Sequence, residues 1–231
     1  ITKTIYKKKS NTNIKNLGVF VHIFNINVWN DIYKYLKILN ESNYNFDLYI
    51  NIASSEVKDF GKNEYINLKN EIKHTKIYEN LYITHSDNRG MDIGGFFTSY
   101  IKMLELNLGY ENIIKIHTKT NNNWRFPMMY AILGNKSIID NNFTKMNQDN
   151  IGMIGNQVID LTNIINKNSY NFFHSYLKRF NVKFNNKGGF IPGTIFMIKG
   201  SVLRRFFNTQ NLRDSYNEFE KDYCGSKINN R

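Results

Sequence analysis

Strand-like and helix-like segments alternate along this chain. They predict an α/β domain with a mainly parallel central sheet, flanking helices and a more irregular C-terminal half. Three observations carry that expectation. Near-continuous apolar runs at 17–24, 47–52 and 113–116 suit strands covered on both faces. Between them apolar residues recur at helical spacing, as Trp29, Ile32, Leu36 and Leu39, and again as Ile93, Phe96, Phe97, Tyr100, Ile101 and Leu104. A glycine-punctuated loop, Asn88-Arg89-Gly90-Met91-Asp92-Ile93-Gly94-Gly95, opens the second of these helices. The apolar run that follows ends in polar groups, Ile116-His117-Thr118-Lys119.

In chain order, residues 1–16 are polar and basic and read as a loose arm. Residues 17–231 read as one domain, with a first half at 17–120 and a second half at 121–231. The first strand covers 17–24, the first helix follows, and the second strand runs from Asp47 to Ile52 before Ala53-Ser54-Ser55. Residues 61–75 fit a helix. Residues 80–84 read as the third strand and 113–116 as the fourth. Trp124-Arg125-Phe126-Pro127 leads into a helix with Pro127 at its first position. Beyond it, 151–155 is a short strand, 161–180 a helix, 193–198 a late strand, and 202–207 and 215–223 short helices.

Composition narrows the function classes. The chain has 231 residues and is 41% hydrophobic, which suits one domain with a sizeable core. Roughly one residue in six is asparagine, far above ordinary usage, but spread evenly rather than in tracts. The net charge of +12 admits nucleic acid, an anionic membrane surface or an anionic small ligand. The lysines are scattered, apart from Lys7-Lys8-Lys9, and no nucleic-acid motif accompanies them, so nucleic acid is not an expected partner. A single cysteine, Cys224, excludes an internal disulfide framework and a cysteine-based zinc site, and fits a reducing, cytoplasmic compartment. No apolar run approaches the roughly 20 residues that span a bilayer. The chain starts at Ile1 without a signal-peptide pattern, as a domain of a longer protein would.

Four constellations suit chemistry. In the first, Gly90 permits a left-handed turn, and Asp87, Asn88 or Asp92 is placed to cap the next helix. The functional alternative gives Arg89 a phosphate or carboxylate and gives Asp92 ribose or sugar hydroxyls. In the second, Lys119 is a point charge for a departing diphosphate, His117 a hydrogen-bonding group or cation ligand, and Arg125 a second cation or a surface ion-pair partner. In the third, Gly193 and Thr194 suit a pocket wall as well as an ordinary turn before a strand. In the fourth, Glu218, Glu220 and Asp222 are carboxylates for a general base or members of a solvated helix end.

Taken together, these residues resemble the rhamnan synthesis protein F family, glycosyltransferase-like domains of polysaccharide assembly. Val21-His22-Ile23-Phe24 resembles the family's first strand and Asp47-Leu48-Tyr49-Ile50 its second. Asn88-Arg89-Gly90-Met91-Asp92-Ile93 is similar to its Asn-Arg-Gly-x-Asp-Ile signature. His117-Thr118-Lys119 and Trp124-Arg125 match its later motifs, and Glu220-Lys221 stands where the family tends to have Glu-Arg. The same order looks like a GT-A glycosyltransferase, although His117-Thr118-Lys119 replaces the Asp-x-Asp that often holds a cation there.

The resemblance implies a GT-A-like, Rossmann-like sheet. It implies transfer of a sugar from a nucleotide-sugar of the nucleoside diphosphate type to a glycan or other hydroxyl acceptor. Phe24, Asn88, Arg89, Gly90, Asp92, His117, Lys119 and Arg125 would then bind the donor. Gly193 and Thr194 would face the acceptor, and Glu220 or Asp222 would serve as base. A Mn²⁺ or Mg²⁺ ion, if used, would fall to His117 and Asp92. The alternative is a nucleotide- or carbohydrate-binding module that kept the fold without the chemistry.

Overall fold

The structure, a computed structural model, describes residues 13–54, 62–160 and 189–221. Its strands are β1 (Asn13–Ile23), β2 (Asp47–Ser54), β3 (Leu81–Asp87), β4 (Leu108–His117), β5 (Met153–Gly155), β6 (Ile159–Asp160), β7 (Gly189–Phe190) and β8 (Phe196–Lys199). The helices are α1 (Trp29–Glu41), α2 (Lys62–Thr75), α3 (Met91–Glu105), α4 (Asn122–Leu133), α5 (Lys136–Met146), α6 (Gly200–Phe206) and α7 (Thr209–Glu218). Six strands make one sheet in the order β3-β2-β1-β4-β8-β5, and β6 and β7 form a separate ribbon. The four strands from β3 to β4 are mutually parallel; β8 runs antiparallel to both β4 and β5. The fold is therefore mixed α/β with a mostly parallel sheet, compatible with a Rossmann-like architecture.

The alternation of side chains along each strand splits the core into two layers. Val19, Val21 and Ile23 of β1, with Leu48, Ile50 and Ile52 of β2 and Ile114 and Ile116 of β4, meet α1, α2, α4 and α5 on one face. Helix α1 places Trp29, Ile32, Leu36 and Leu39 there, all at most 1% exposed. Each such aliphatic side chain contributes about 1.5–3 kcal/mol by leaving water. Phe20, Tyr49, Tyr110 and Ile113 point to the other face, against Phe96, Phe97, Tyr100 and Met103 of α3, Leu203 of α6 and Leu212 of α7. The central strands read as continuous apolar runs because both faces are covered.

On the α3 face the strand register stacks residues in rows. One row is aromatic: Tyr82, Tyr49 and Phe20 are register partners. Their rings stack at 4.5 Å (Phe20–Tyr49) and 4.6 Å (Tyr49–Tyr82). Lys115 continues that row in β4, and Phe196 follows it in β8. Two residues toward the carboxyl ends the next row is polar: Thr84, Asn51, His22 and His117 on β3, β2, β1 and β4.

Several boundaries differ from the sequence expectation. The loose arm does not extend to residue 16: β1 begins at Asn13, and Asn13, Ile14 and Lys15 pair with Leu108, Gly109 and Tyr110. The exposed polar residues at that end hid a strand held by backbone pairing and by an ion pair from Lys15 to Asp47 at 2.8 Å. β4 starts at Leu108 rather than 113 for the same reason. Pro127 lies inside α4, not at its first position, because the helix starts earlier at Asn122. The late strand begins at Phe196; Gly193 and Thr194 both have left-handed backbones, φ 79° and 55°, which cannot continue a strand. The last helix among the described residues ends at Glu218. The helix expected at 161–180, Cys224 and Asp222 lie outside the described residues.

Candidate functional site at the carboxyl end of the sheet

The chain moves from β1 outward to β2 and β3, then returns through α3 to β4 on the other side of β1. The strand order thus reverses between β1 and β4. In open parallel sheets, ligands bind in the crevice outside the carboxyl ends at such a point. His22 and His117 sit side by side there as register partners.

Helix α3 lies across the polar row, and Gly95 sets how closely. A Cβ on Gly95 would stand 2.0 Å from His22 Nδ1 and 2.6 Å from Asn51 Oδ1, so no larger residue fits without separating helix from sheet. His22 Nδ1 lies 2.9 Å from Asn51 Oδ1. The Asn51 amide donates to Thr84 Oγ1 at 3.2 Å and Ser86 Oγ at 3.1 Å. Thr84 in turn donates to the Ile50 carbonyl at 3.3 Å, which leaves its oxygen as acceptor. The Asn51 amide oxygen therefore faces His22, and His22 carries its proton on Nδ1.

Below the row lies a buried ion pair. Lys115, 1% exposed, donates to Asp92 Oδ2 at 2.5 Å and to the Thr194 carbonyl at 2.9 Å. Thr194 Oγ1 donates to the same Asp92 oxygen at 2.5 Å. The Lys115 ammonium also stands 5.7 Å from the centre of the Phe196 ring. A buried ammonium without such partners is prohibitively costly, and here α3, β4 and the 193–194 turn jointly satisfy it. His117 Nε2 faces the Gly193 carbonyl at 2.9 Å, and a carbonyl only accepts, so Nε2 holds the proton. Thr118 Oγ1 accepts from the backbone N–H groups of Phe24 (2.9 Å) and Asn25 (3.0 Å), which fastens the exit of β1 to the exit of β4.

Burial pushes both imidazoles down to about 4, against opposing pulls from the Asn51 hydrogen bond at His22 and the Asp92 charge at His117. Both are neutral at pH 7. Burial also works to raise Asp92, but the charge of Lys115 and the hydrogen bonds from Lys115 and Thr194 hold its carboxyl well below the usual range. Asp92 is a fixed carboxylate rather than a proton shuttle.

The sequence-predicted residues divide into those gathered here and those turned elsewhere. Asp92, His117 and Thr194 join one network, with Thr194 Oγ1 donating to Asp92 Oδ2 and lying 3.5 Å from His117 Nε2. Asn88 is buried, and its N–H donates to the Ser54 carbonyl at 2.9 Å. Gly90 is left-handed at φ 59° and precedes α3 without a side-chain cap. Arg89 donates to the Phe219 carbonyl at 3.1 Å and bridges to Lys221. It leaves β3, three strands from β4, so its strand exit lies about 14 Å along the sheet from that of Lys119.

Arg125 is not a free second cation. It is 7% exposed, reaches Asp31 at 2.6 Å and the Asn122 side chain at 3.3 Å, and donates to the carbonyls of Lys119 and Thr120. Lys119 is half-buried, with its ammonium 4.7 Å from the centre of the Trp124 ring. Phe24 is half-buried at the exit of β1. Glu220 is exposed and touches the glycine loop through its carbonyl, which accepts from Gly90 N–H at 3.3 Å.

His117 Nε2 faces the Gly193 carbonyl and Asp92 Oδ2 takes two hydrogen bonds, so a divalent cation on this pair would meet only His117 Nδ1 and Asp92 Oδ1; among the described residues no three ligating groups gather. Two open recesses of about 480 and 280 Å³ lie at the opposite, amino-terminal edge of the sheet, beside Asn16, Leu17 and Asn45.

Sequence reasoning gave no role to Lys115, His22, Asn51 or Asp31. Lys115 carried a signal: a lysine inside Ile113-Ile114-Lys115-Ile116 must be paired if the strand is covered on both faces. Asn51 and His22 broke apolar runs in the same way. Asp31 gave none, since its partner is 94 residues away. No protein-family model matches the chain, and no curated protein matches it with significant similarity. Among the described residues, no helix is long and apolar enough to cross a membrane.

Proposed function

We propose that this chain is a GT-A-like glycosyltransferase domain, similar to the rhamnan synthesis protein F group, that moves a sugar from a nucleotide-sugar to a hydroxyl acceptor. The observation that supports this best is the meeting of Asp92, His117 and Thr194 at the β1/β4 switch point. They come from three motifs spread over 102 residues, and Thr194 donates to the same Asp92 oxygen that takes the Lys115 ammonium. In the reaction, the bond between the anomeric carbon and the diphosphate oxygen breaks as the acceptor oxygen bonds to that carbon. Lys119 offsets the charge that develops on the departing diphosphate. If configuration inverts, a carboxylate takes the acceptor proton. Glu220 is the candidate, with Asp222 next, because Asp92 is hydrogen-bonded and held ionised. Among the described residues no three ligating groups gather to hold a metal, so charge on the departing diphosphate falls to Lys119.

Calorimetry with uridine, guanosine, adenosine, cytidine and thymidine diphosphates, with and without Mn²⁺, tests this reading. At least one is expected to bind, with about tenfold weaker binding by Lys119→Ala, the scale of one charge-assisted contact. If the wild type binds none of them, the reading is wrong.

One observation favours a non-catalytic binding module instead. Arg89 and Arg125, the other cations expected around the diphosphate, are engaged with the chain's own carbonyls and Asp31. Hydrolysis of a bound donor over time separates enzyme from module.

A further inference from the structure

The hydrogen-bond inventory of the site specifies what kind of group faces it. His117 has its proton on Nε2, directed at the Gly193 carbonyl, so its Nδ1 is a bare lone pair. His22 has its proton on Nδ1, directed at Asn51, so its Nε2 is a bare lone pair. Asp92 uses Oδ2 for Lys115 and Thr194. Among the described residues nothing donates to Asp92 Oδ1, His117 Nδ1 or His22 Nε2. These are three acceptors on neighbouring elements, on side chains 17%, 9% and 4% exposed respectively.

An acceptor-only surface repels phosphate oxygens, which are themselves acceptors. It suits a group rich in O–H donors. A shared cation is the other partner for lone pairs, but no three ligating groups among the described residues come close enough to hold one. We propose that a polyhydroxyl ring of the ligand, a hexose or a ribose, seats against Asp92, His117 and His22, with the phosphates beyond the strand end toward Lys119. This rests on the sugar-transfer reading and assigns the sugar's place within it. Lys115 is the positioning residue: with Thr194 it fills one carboxylate oxygen and leaves the other to the ligand.

Long-range ¹H–¹⁵N correlation of the histidine rings in the wild-type chain tests this without any substitution. The free protein should show Nε2–H on His117 and Nδ1–H on His22 at pH 7; the opposite tautomers would overturn the proposal at once. Methyl glucoside, galactoside and rhamnoside, or adenosine and uridine, should shift His117 Nδ1 and His22 Nε2. Inorganic pyrophosphate should leave both unmoved. The glycosides responding points to the transferred sugar. The nucleosides responding, with their 2′-deoxy forms silent, points to ribose.

If pyrophosphate alone moves the two nitrogens, the proposal falls while the sugar-transfer reading stands. Broadening of both rings by equimolar Mn²⁺ also overturns it, in favour of a cation. Silence toward all probes, intact UDP-glucose and GDP-mannose included, overturns both. As a second measurement, His117→Phe should weaken whichever of these nucleotide-sugars binds about tenfold, the scale of one lost hydrogen bond. Its affinity for the matching diphosphate should stay within about twofold. Equal losses for the two ligands would count against the seat.

Discussion

Lys115 is the residue on which the site's internal order turns. Its ammonium is 1% exposed and joins β4, α3 and the turn before β8. Replacing it with methionine keeps most of the volume but leaves Asp92 without its counter-charge. Breaking a buried pair from one side typically costs about 3–5 kcal/mol, whereas removing both partners is often near neutral. Lys115→Met should therefore lower the urea midpoint sharply, and Lys115→Met with Asp92→Leu should recover much of the loss. Additive losses in that cycle would mean that the two side chains are not coupled. Gly95 is the other sensitive position. A methyl group there meets the His22–Asn51 pair at 2.0 Å and 2.6 Å, so Gly95→Ala should cost about 1–3 kcal/mol by overpacking, despite alanine's better helix propensity. A stabilised Gly95→Ala protein would show that α3 does not rest on the row as described.

At the scale of elements, the segment between β4 and α4 is held by one side chain. Arg125 binds Asp31 on α1 and the carbonyls of Lys119 and Thr120, so it positions the lysine assigned to the diphosphate. Asp31 is about half exposed, so the ion pair itself contributes little; the bonds from the buried guanidinium to the two carbonyls carry the effect. Arg125→Lys should not restore it, because one ammonium cannot span Asp31 and two carbonyls as a planar fork does. Both Arg125→Lys and Arg125→Ala should lose about 1–3 kcal/mol, the scale of hydrogen bonds made by a charged group, read as the unfolding midpoint. Full rescue by lysine would assign the role to charge alone. The beginning of β1 permits a similar comparison. A chain starting at Leu17 lacks the Asn13–Leu108 pairing and the Lys15–Asp47 bridge. It should melt below one starting at Asn13, and equal melting would show that the strand end adds nothing.

For the whole molecule, acid sensitivity follows from the neutral imidazoles. His22 and His117 fall from 6.5 to about 4 on folding. Between those values the unfolded chain binds more protons than the folded one, so stability drops as pH falls through that window. The loss is on the order of 3 kcal/mol per imidazole at most. The depressed Asp92 has the same sign: its contribution is present above the ordinary carboxylate range and is lost as pH falls below it. Denaturant midpoints should be flat from pH 8 to pH 7 and fall steadily toward pH 4.5. His22→Phe with His117→Phe should flatten the upper part of that slope. An unchanged slope would place the acid-sensitive groups elsewhere.

Periodicity alone determined the α/β class, the central strands and α1 and α3, because covered strands and half-buried helices leave different spacings of apolar residues. It also singled out Asp92, His117 and Thr194, as polar groups beside glycine turns and strand ends. The joining of those residues was decided only by tertiary structure. Row register puts His22 beside His117 and Asn51, and the crossing of α3 puts Asp92 over Lys115. Asp31 reaches Arg125 from another helix altogether. A lysine's neighbours in sequence are apolar whether its ammonium is paired or not, and a histidine's tautomer depends on the acceptor it meets. Those choices depend on distances between segments far apart in the chain, and no local pattern encodes them.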